Sequence, residues 1–138
     1  QPVISSIISS TPGKVLGVGC DIVEVSRIRD SHERHGQHFL DKIYSEEEQE
    51  YCLNQAAPYP SLAARFAAKE AISKAFTTGI GERFGWKSAT ISHGERREPL
   101  VQLHGRALKM LEEIGGRVVR ISISHTVETA MAIALITD

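Results

Sequence analysis

Two carboxylates stand where carboxylates are disfavoured. Asp21 falls within residues 14–25, KVLGVGCDIVEV, a strictly alternating strand pattern. Leu16, Val18, Cys20 and Ile22 share one face; Gly17, Gly19, Asp21 and Val23 share the other. A charge in so apolar a strand requires a partner, either an arginine in the core or a cation from outside. Gly17 and Gly19, on the same face, would allow a ligand to approach the backbone. Glu70 is the second, set in SLAARFAAKEAISKAF among Ala67, Ala68, Ala71, Ile72 and Ala75. Lys74, four residues on, projects from the same side of a helix. On a solvated helix the two would form an ordinary surface pair of little energetic weight. Here the helix is apolar on most of its circumference, so a cleft accounts better for Arg65, Lys69, Glu70 and Lys74 than bulk solvent does.

The histidines say less. His32 and His35 have helical i, i+3 spacing, but nothing nearby supplies further metal ligands. His125 ends a strand in ISISH, at a strand-to-turn junction where functional groups often collect. Gly79-Ile80-Gly81 is a weak phosphate-loop signal. It follows a helix C-terminus, whose dipole has the wrong sign for an anion, so a lysine or arginine would have to compensate.

The elements that must position these residues follow from periodicity and punctuation. After the first strand, Ser26 is expected to cap a short helix to Gly36, the most basic stretch of the chain, with Arg27, Arg29 and Arg34. Ser45 and Glu48 form a capping box for a helix to about Gln55, with acidic residues suited to the helix dipole. A loop around Pro58 and Pro60 precedes a central buried helix that Ser61 is expected to cap, closed by Gly79 and Gly81. Residues 86–92 and 100–103 read as a strand pair around a turn at 94–99. A helix over 106–114 stops at Gly115-Gly116. Strands at 118–124 and 130–136, joined by a turn at 125–129, complete the chain. Adjacent strands favour antiparallel pairing, so the predicted fold class is α+β, mainly antiparallel, around a central buried helix.

The 138 residues, 41% of them hydrophobic, suit one compact domain over 14–138 behind a serine-rich tail, 1–13, that carries no charged side chain. A net charge of −1 argues against broad nucleic-acid wrapping. No apolar run approaches the roughly 18 residues of a membrane span. Cys20 and Cys52 lack metal or redox spacing and read as buried free thiols in a reducing compartment.

Two segments resemble the holo-acyl-carrier-protein synthases, the small branch of the 4′-phosphopantetheinyl transferases. GVGCDIVEVSRI at 17–28 is similar to that family's G-I-G-x-D-I-x-x-x-x-R-I signature. RFAAKEAISKAFTTGIG at 65–81 is similar to its R-[FW]-x-x-K-E-A-x-x-K-A signature, and ISISHTVETAMAIA at 121–134 to its closing S-x-S-H strand pair. The resemblance runs from about residue 15 to the end. It implies a magnesium ion held by Asp21 and Glu70, and Lys74 facing the reacting phosphate. It implies coenzyme A as substrate, with Arg65, Lys69, Thr77, Thr78, Gly79 and His125 around its phosphates and adenine. Arg27 would meet the acidic helix of an acyl carrier protein. The implied reaction moves phosphopantetheine to a carrier serine and releases adenosine 3′,5′-bisphosphate, in support of fatty acid biosynthesis. A cytoplasmic homotrimer is implied as well. Chemistry agrees with the metal: magnesium favours oxygen ligands, with one or two carboxylates beside substrate phosphate and water. Whether Glu70 or a water on the ion accepts the serine proton stays open. Two departures stand out: Thr77 occupies a position where glycine is common, and Cys20 one where isoleucine or a similar apolar residue is usual. A carrier-binding module without catalysis, and a hydrolase consuming coenzyme A with water, are the rival readings. Retention of Asp21, Glu70 and Lys74 together opposes the first; the arginine-bearing helix opposes the second.

Overall fold

The computed structural model describes residues 14–138, and the expected tail at 1–13 lies outside the described residues. The elements run β1 (Val15–Glu24), α1 (Val25–His35), α2 (Gln37–Ile43), α3 (Glu46–Leu53), α4 (Pro58–Ala75), β2 (Ala89–His93), β3 (Pro99–Leu103), α5 (Gly105–Glu113), β4 (Val118–His125) and β5 (Thr129–Thr137). β1, β5 and β4 form an antiparallel sheet in that order, while β2 and β3 form a separate hairpin. The α+β class, the antiparallel pairing and the central buried helix are as the sequence implied.

α4 lies on the sheet, and small side chains explain how closely. Ala63, Ala67, Ala68, Ala71 and Ala75 are buried on the helix, facing a sheet whose β5 contributes buried Ala130, Ala132 and Ala134. Gly17 and Gly19 complete this contact. A Cβ at either position would overlap the carbonyl oxygen of Ala75 or of Ala71. These glycines therefore admit the helix backbone, not a ligand, which corrects the expectation made for them. The consequence is functional: seating the last turns of α4 on β1 brings Lys74 against Asp21.

Several boundaries differ from expectation. α4 begins at Pro58, so Ser61 does not cap it; proline suits the first turn, whose amide would lack a helical partner anyway. α1 begins at Val25 with Glu24 as N-cap and no side-chain cap, so Ser26 lies within the helix. α2 was not foreseen, and β2 starts at Ala89 instead of residue 86. The Ser45/Glu48 capping box is present as read. Both cysteines are free, but only Cys52 is buried.

At its C-terminus α4 closes with a Schellman motif. The Thr78 amide donates to the Ser73 carbonyl and the Thr77 amide to that of Lys74. Thr77 occupies the left-handed position at φ 65°, where glycine is ordinarily favoured and a β-branched residue is strained. The outer face of the sheet is apolar yet open: Val18 is 60% and Ile22 68% exposed, with Cys20, Met131 and Ile133 exposed beside them.

Candidate active site

Asp21 occupies a helix-facing position of β1, and its Oδ1 accepts from Lys74 Nζ at 2.9 Å. The same ammonium donates to the Cys20 carbonyl at 3.1 Å and remains half exposed. The hydrogen bond to Asp21 raises the proton affinity of Lys74, so it stays a cation at neutral pH. Glu70 is half-buried one helical turn earlier. Burial, and then the charge of Asp21, push its carboxyl above the usual range, while Lys74 and Arg27 oppose the shift. Arg27 is held on α1 with its guanidinium carbon 5.5 Å from the centre of the Phe66 ring. Thus Asp21, Glu70, Lys74 and Arg27 share one neighbourhood.

The donor set fits a magnesium ion. A carboxylate whose proton affinity is raised by burial and by the charge of a second carboxylate, as Glu70 is beside Asp21, forms a site that a hard cation would stabilise. Among the described residues no group of three or more His, Cys, Asp or Glu side chains could hold a metal. A two-carboxylate site is the kind that relies on substrate phosphate and water for its remaining ligands.

Lys69 takes a different course from its neighbours. Its side chain is 0% exposed, and Nζ donates to Glu48 Oε1 at 2.8 Å and to the carbonyls of Trp86 and Ala89 at 2.7 and 2.9 Å. Glu48 Oε1 also accepts from the Ser45 amide, and its Oε2 from the Ile91 amide at 2.9 Å. All three protons of the ammonium have acceptors. Burial lowers its proton affinity, against the pull of Glu48. The expectation that Lys69 faces coenzyme phosphates is corrected: it ties α4 to α3 and β2 and presents no donor to a cleft. Glu48, read from sequence only as a capping residue, is the partner.

Arg65 is placed on another side of α4, about 140° around the helix from Glu70 at 3.6 residues per turn. It is 3% exposed, stacks at 4.4 Å over Tyr51, and donates to Ser61 Oγ at 3.5 Å and to His93 Nδ1 at 3.3 Å. Burial and the adjacent guanidinium lower the proton affinity of His93, which suits an Nδ1 that accepts. His125 lines the same cleft. It lies on β4, with β5 between it and β1. One protomer therefore places the Asp21 cluster and the Arg65–His125 cluster at opposite edges of the sheet.

The Thr77–Gly79 turn borders a third region. Thr78 lines a cavity with Arg83, Arg106 and Lys109, and its hydroxyl bonds the Ser73 carbonyl at 3.3 Å. The three basic residues come from the loop after α4 and from α5; only their clustering in space, absent from linear spacing, singles them out. Glu113 lines the same cavity, so the charge there is mixed.

Known proteins resemble this chain in sequence and in fold. Residues 17–123 match the model of the 4′-phosphopantetheinyl transferase superfamily. The chain is 50% identical over 121 residues to the holo-[acyl-carrier-protein] synthase of Chlamydia felis, covering 86% of this chain and 96% of that protein. The crystal structure of the Neisseria meningitidis holo-[acyl-carrier-protein] synthase superposes with a TM-score of 0.84 at 33% identity, over 91% of this chain and all of that one. The Helicobacter pylori enzyme, solved in complex with coenzyme A, gives 0.77 at 30% identity over 86% of this chain and 98% of that one. By sequence and by fold, the chain belongs to the holo-[acyl-carrier-protein] synthases of the 4′-phosphopantetheinyl transferase superfamily.

Proposed function

We propose that this chain transfers the 4′-phosphopantetheine group of coenzyme A to a serine of an apo acyl carrier protein, with a magnesium ion held by Asp21 and Glu70. The observation that carries this reading is the Asp21–Glu70–Lys74 cluster, open to solvent at Lys74, with two carboxylates that offer oxygen ligands. The bound ion would supply Lewis-acid neutralisation of pyrophosphate charge. The serine oxygen attacks the β-phosphorus, the P–O bond to the α-phosphate breaks, and adenosine 3′,5′-bisphosphate leaves with the electron pair. Lys74 sits where its charge offsets that developing on the transferred group. Glu70, beside Lys74 on the open side of the cluster, or a water at the same site accepts the serine proton. Arg27, beside this cluster on the basic helix, meets an acidic face of the carrier. Arg65, Thr77, Thr78, Gly79 and His125 line the path of the coenzyme's phosphates and adenine.

Two features support a homotrimer with shared sites. The open apolar face of β1 and β5 is large for a monomer to leave in water. The separation of the Asp21 and His125 edges asks for a second copy to complete one site. No helix among the described residues is long and apolar enough to cross a membrane; we place the enzyme in the cytoplasm, in fatty acid biosynthesis. The test is to incubate the protein with coenzyme A, magnesium and an apo carrier and to weigh the carrier. A gain of one phosphopantetheine supports transfer. An unmodified carrier with intact coenzyme indicates binding only, and coenzyme consumed without carrier modification indicates hydrolysis.

A further inference from the structure

α1 is the basic helix of the chain, yet little in its own sequence fixes where it points. It has 11 residues and no side-chain cap at its N-terminus, a length that is marginal for an isolated helix. Its buried residues, Val25 and Ile28, both lie in the first turn, so the core grips that end alone. The next stretch is held from the side by Tyr59, in the first turn of α4. The guanidinium carbon of Arg29 lies 5.3 Å from the centre of the Tyr59 ring. Three residues on, His32 Nδ1 and the Tyr59 hydroxyl share a hydrogen bond at 2.8 Å. Among the described residues this is the one side-chain hydrogen bond from α1 to another element. Pro58 and Pro60 flank Tyr59 and fix their own φ, so the ring stands on a stiff turn. Tyr59 and Phe66, which lies under Arg27, are seven residues apart and so share one side of α4. Away from this contact α1 is open, with Arg27, Arg34 and His35 exposed and Asp30 among them.

We propose that Tyr59 is a positioning residue for the carrier: through Arg29 and His32 it fixes the angle of α1, and with it the placement of the exposed arginines that an acidic partner meets. This rests on the reading that α1 receives an acyl carrier protein. Tyr59 acts through α1 and not on a substrate. A helix already held in its binding orientation costs less to order when the partner arrives. Arg27 lies beside the core-anchored end of α1, whereas Arg34 lies two turns beyond it, so a tilt displaces Arg34 more. The coenzyme side is insulated from such a tilt. Tyr59 is about 16 Å along the helix axis from Glu70, at 1.5 Å per residue, and it does not line the cleft that holds Arg65 and His125.

The experiment measures the two affinities separately on the full chain, so it does not depend on transfer. Fluorescence anisotropy of a labelled apo carrier gives one Kd, and calorimetry with coenzyme A gives the other. Tyr59→Phe keeps the ring under Arg29 and loses the hydroxyl; its Kd for the carrier should rise about fivefold, the scale of one hydrogen bond. Tyr59→Leu loses the ring as well, and the rise should reach about tenfold or more. The double variant Tyr59→Phe with His32→Leu should be no worse than the weaker-binding single variant, since both changes remove the same bond. The Kd for coenzyme A should stay within about twofold throughout, which also shows that the variants are folded. A carrier affinity unchanged within about twofold in Tyr59→Leu would overturn the assignment. So would a coenzyme affinity that falls in step with carrier affinity, because Tyr59 would then support the fold at large. A wild type that binds coenzyme A but no carrier would overturn the carrier reading itself, and this inference with it.

Discussion

Lys69 and Lys74 lie five residues apart on one helix, each bonded to a carboxylate at under 3 Å, in opposite surroundings. Lys69 and Glu48 are sealed from solvent, with every proton and both oxygens of the pair engaged by protein groups. Lys74 and Asp21 stay partly open, with a second carboxylate, Glu70, nearby and uncompensated enough to hold its proton more tightly. A closed pair has no valence left for a substrate; an open pair beside a spare carboxylate does. What separates structure from chemistry here is not residue type but whether the surroundings finish the hydrogen-bond count.

The sharpest way to break the comparison is to remove half of the closed pair. Glu48→Ala leaves an ammonium buried without its anion and also removes the capping box, so unfolding free energy should fall by about 3–5 kcal/mol. Chemical denaturation reads this directly; a loss below about 1 kcal/mol would mean the pair is less closed than its geometry.

Glu70→Gln probes the open cluster through pH. The folded-state proton affinity of Glu70 is raised, first by burial and then by Asp21. Its ionisation therefore opposes folding once the pH rises through the folded-state value. Without magnesium, Glu70→Gln should melt above wild type near neutral pH, and the gap should vanish below the ordinary carboxylate range, where both states are protonated. Added magnesium should stabilise wild type and leave the variant unmoved. Thermal melts at two pH values, with and without the ion, show both effects or neither.

The smallest effect concerns the turn after α4. Thr77→Gly removes a β-branched residue from a left-handed position and should stabilise the fold by about 1 kcal/mol. A destabilised variant would show that the Thr77 side chain makes contacts outweighing its strain.

Much of this was legible in the sequence, and the gaps have physical causes. Alternation gave β1 and its odd carboxylate; alanine content gave the buried helix; Ser45 and Glu48 gave the capping box. Helical spacing also paired Glu70 with Lys74, whereas the ammonium bonds Asp21, because spacing fixes which side of a helix a residue takes but not what stands opposite. For the same reason Lys69 could not be told from Lys74: one meets α3 and β2, the other β1. Gly17 and Gly19 signalled close approach correctly but not by what, and the approaching backbone is the helix's own.

We infer that the open pair does the chemistry and the closed pair holds the fold. Carrier modification, followed by intact mass with coenzyme A and magnesium present, tests it in two variants of matched folded fraction. Asp21→Ala should fold and lose on the order of a thousandfold in transfer rate, the scale expected when a metal ligand at a phosphoryl centre is removed. The double variant Glu48→Leu with Lys69→Met, which replaces the closed pair by apolar groups of similar size, should transfer within a few-fold of wild type wherever it is folded. Near-normal transfer by Asp21→Ala, or loss of transfer in a folded double variant, would contradict the account.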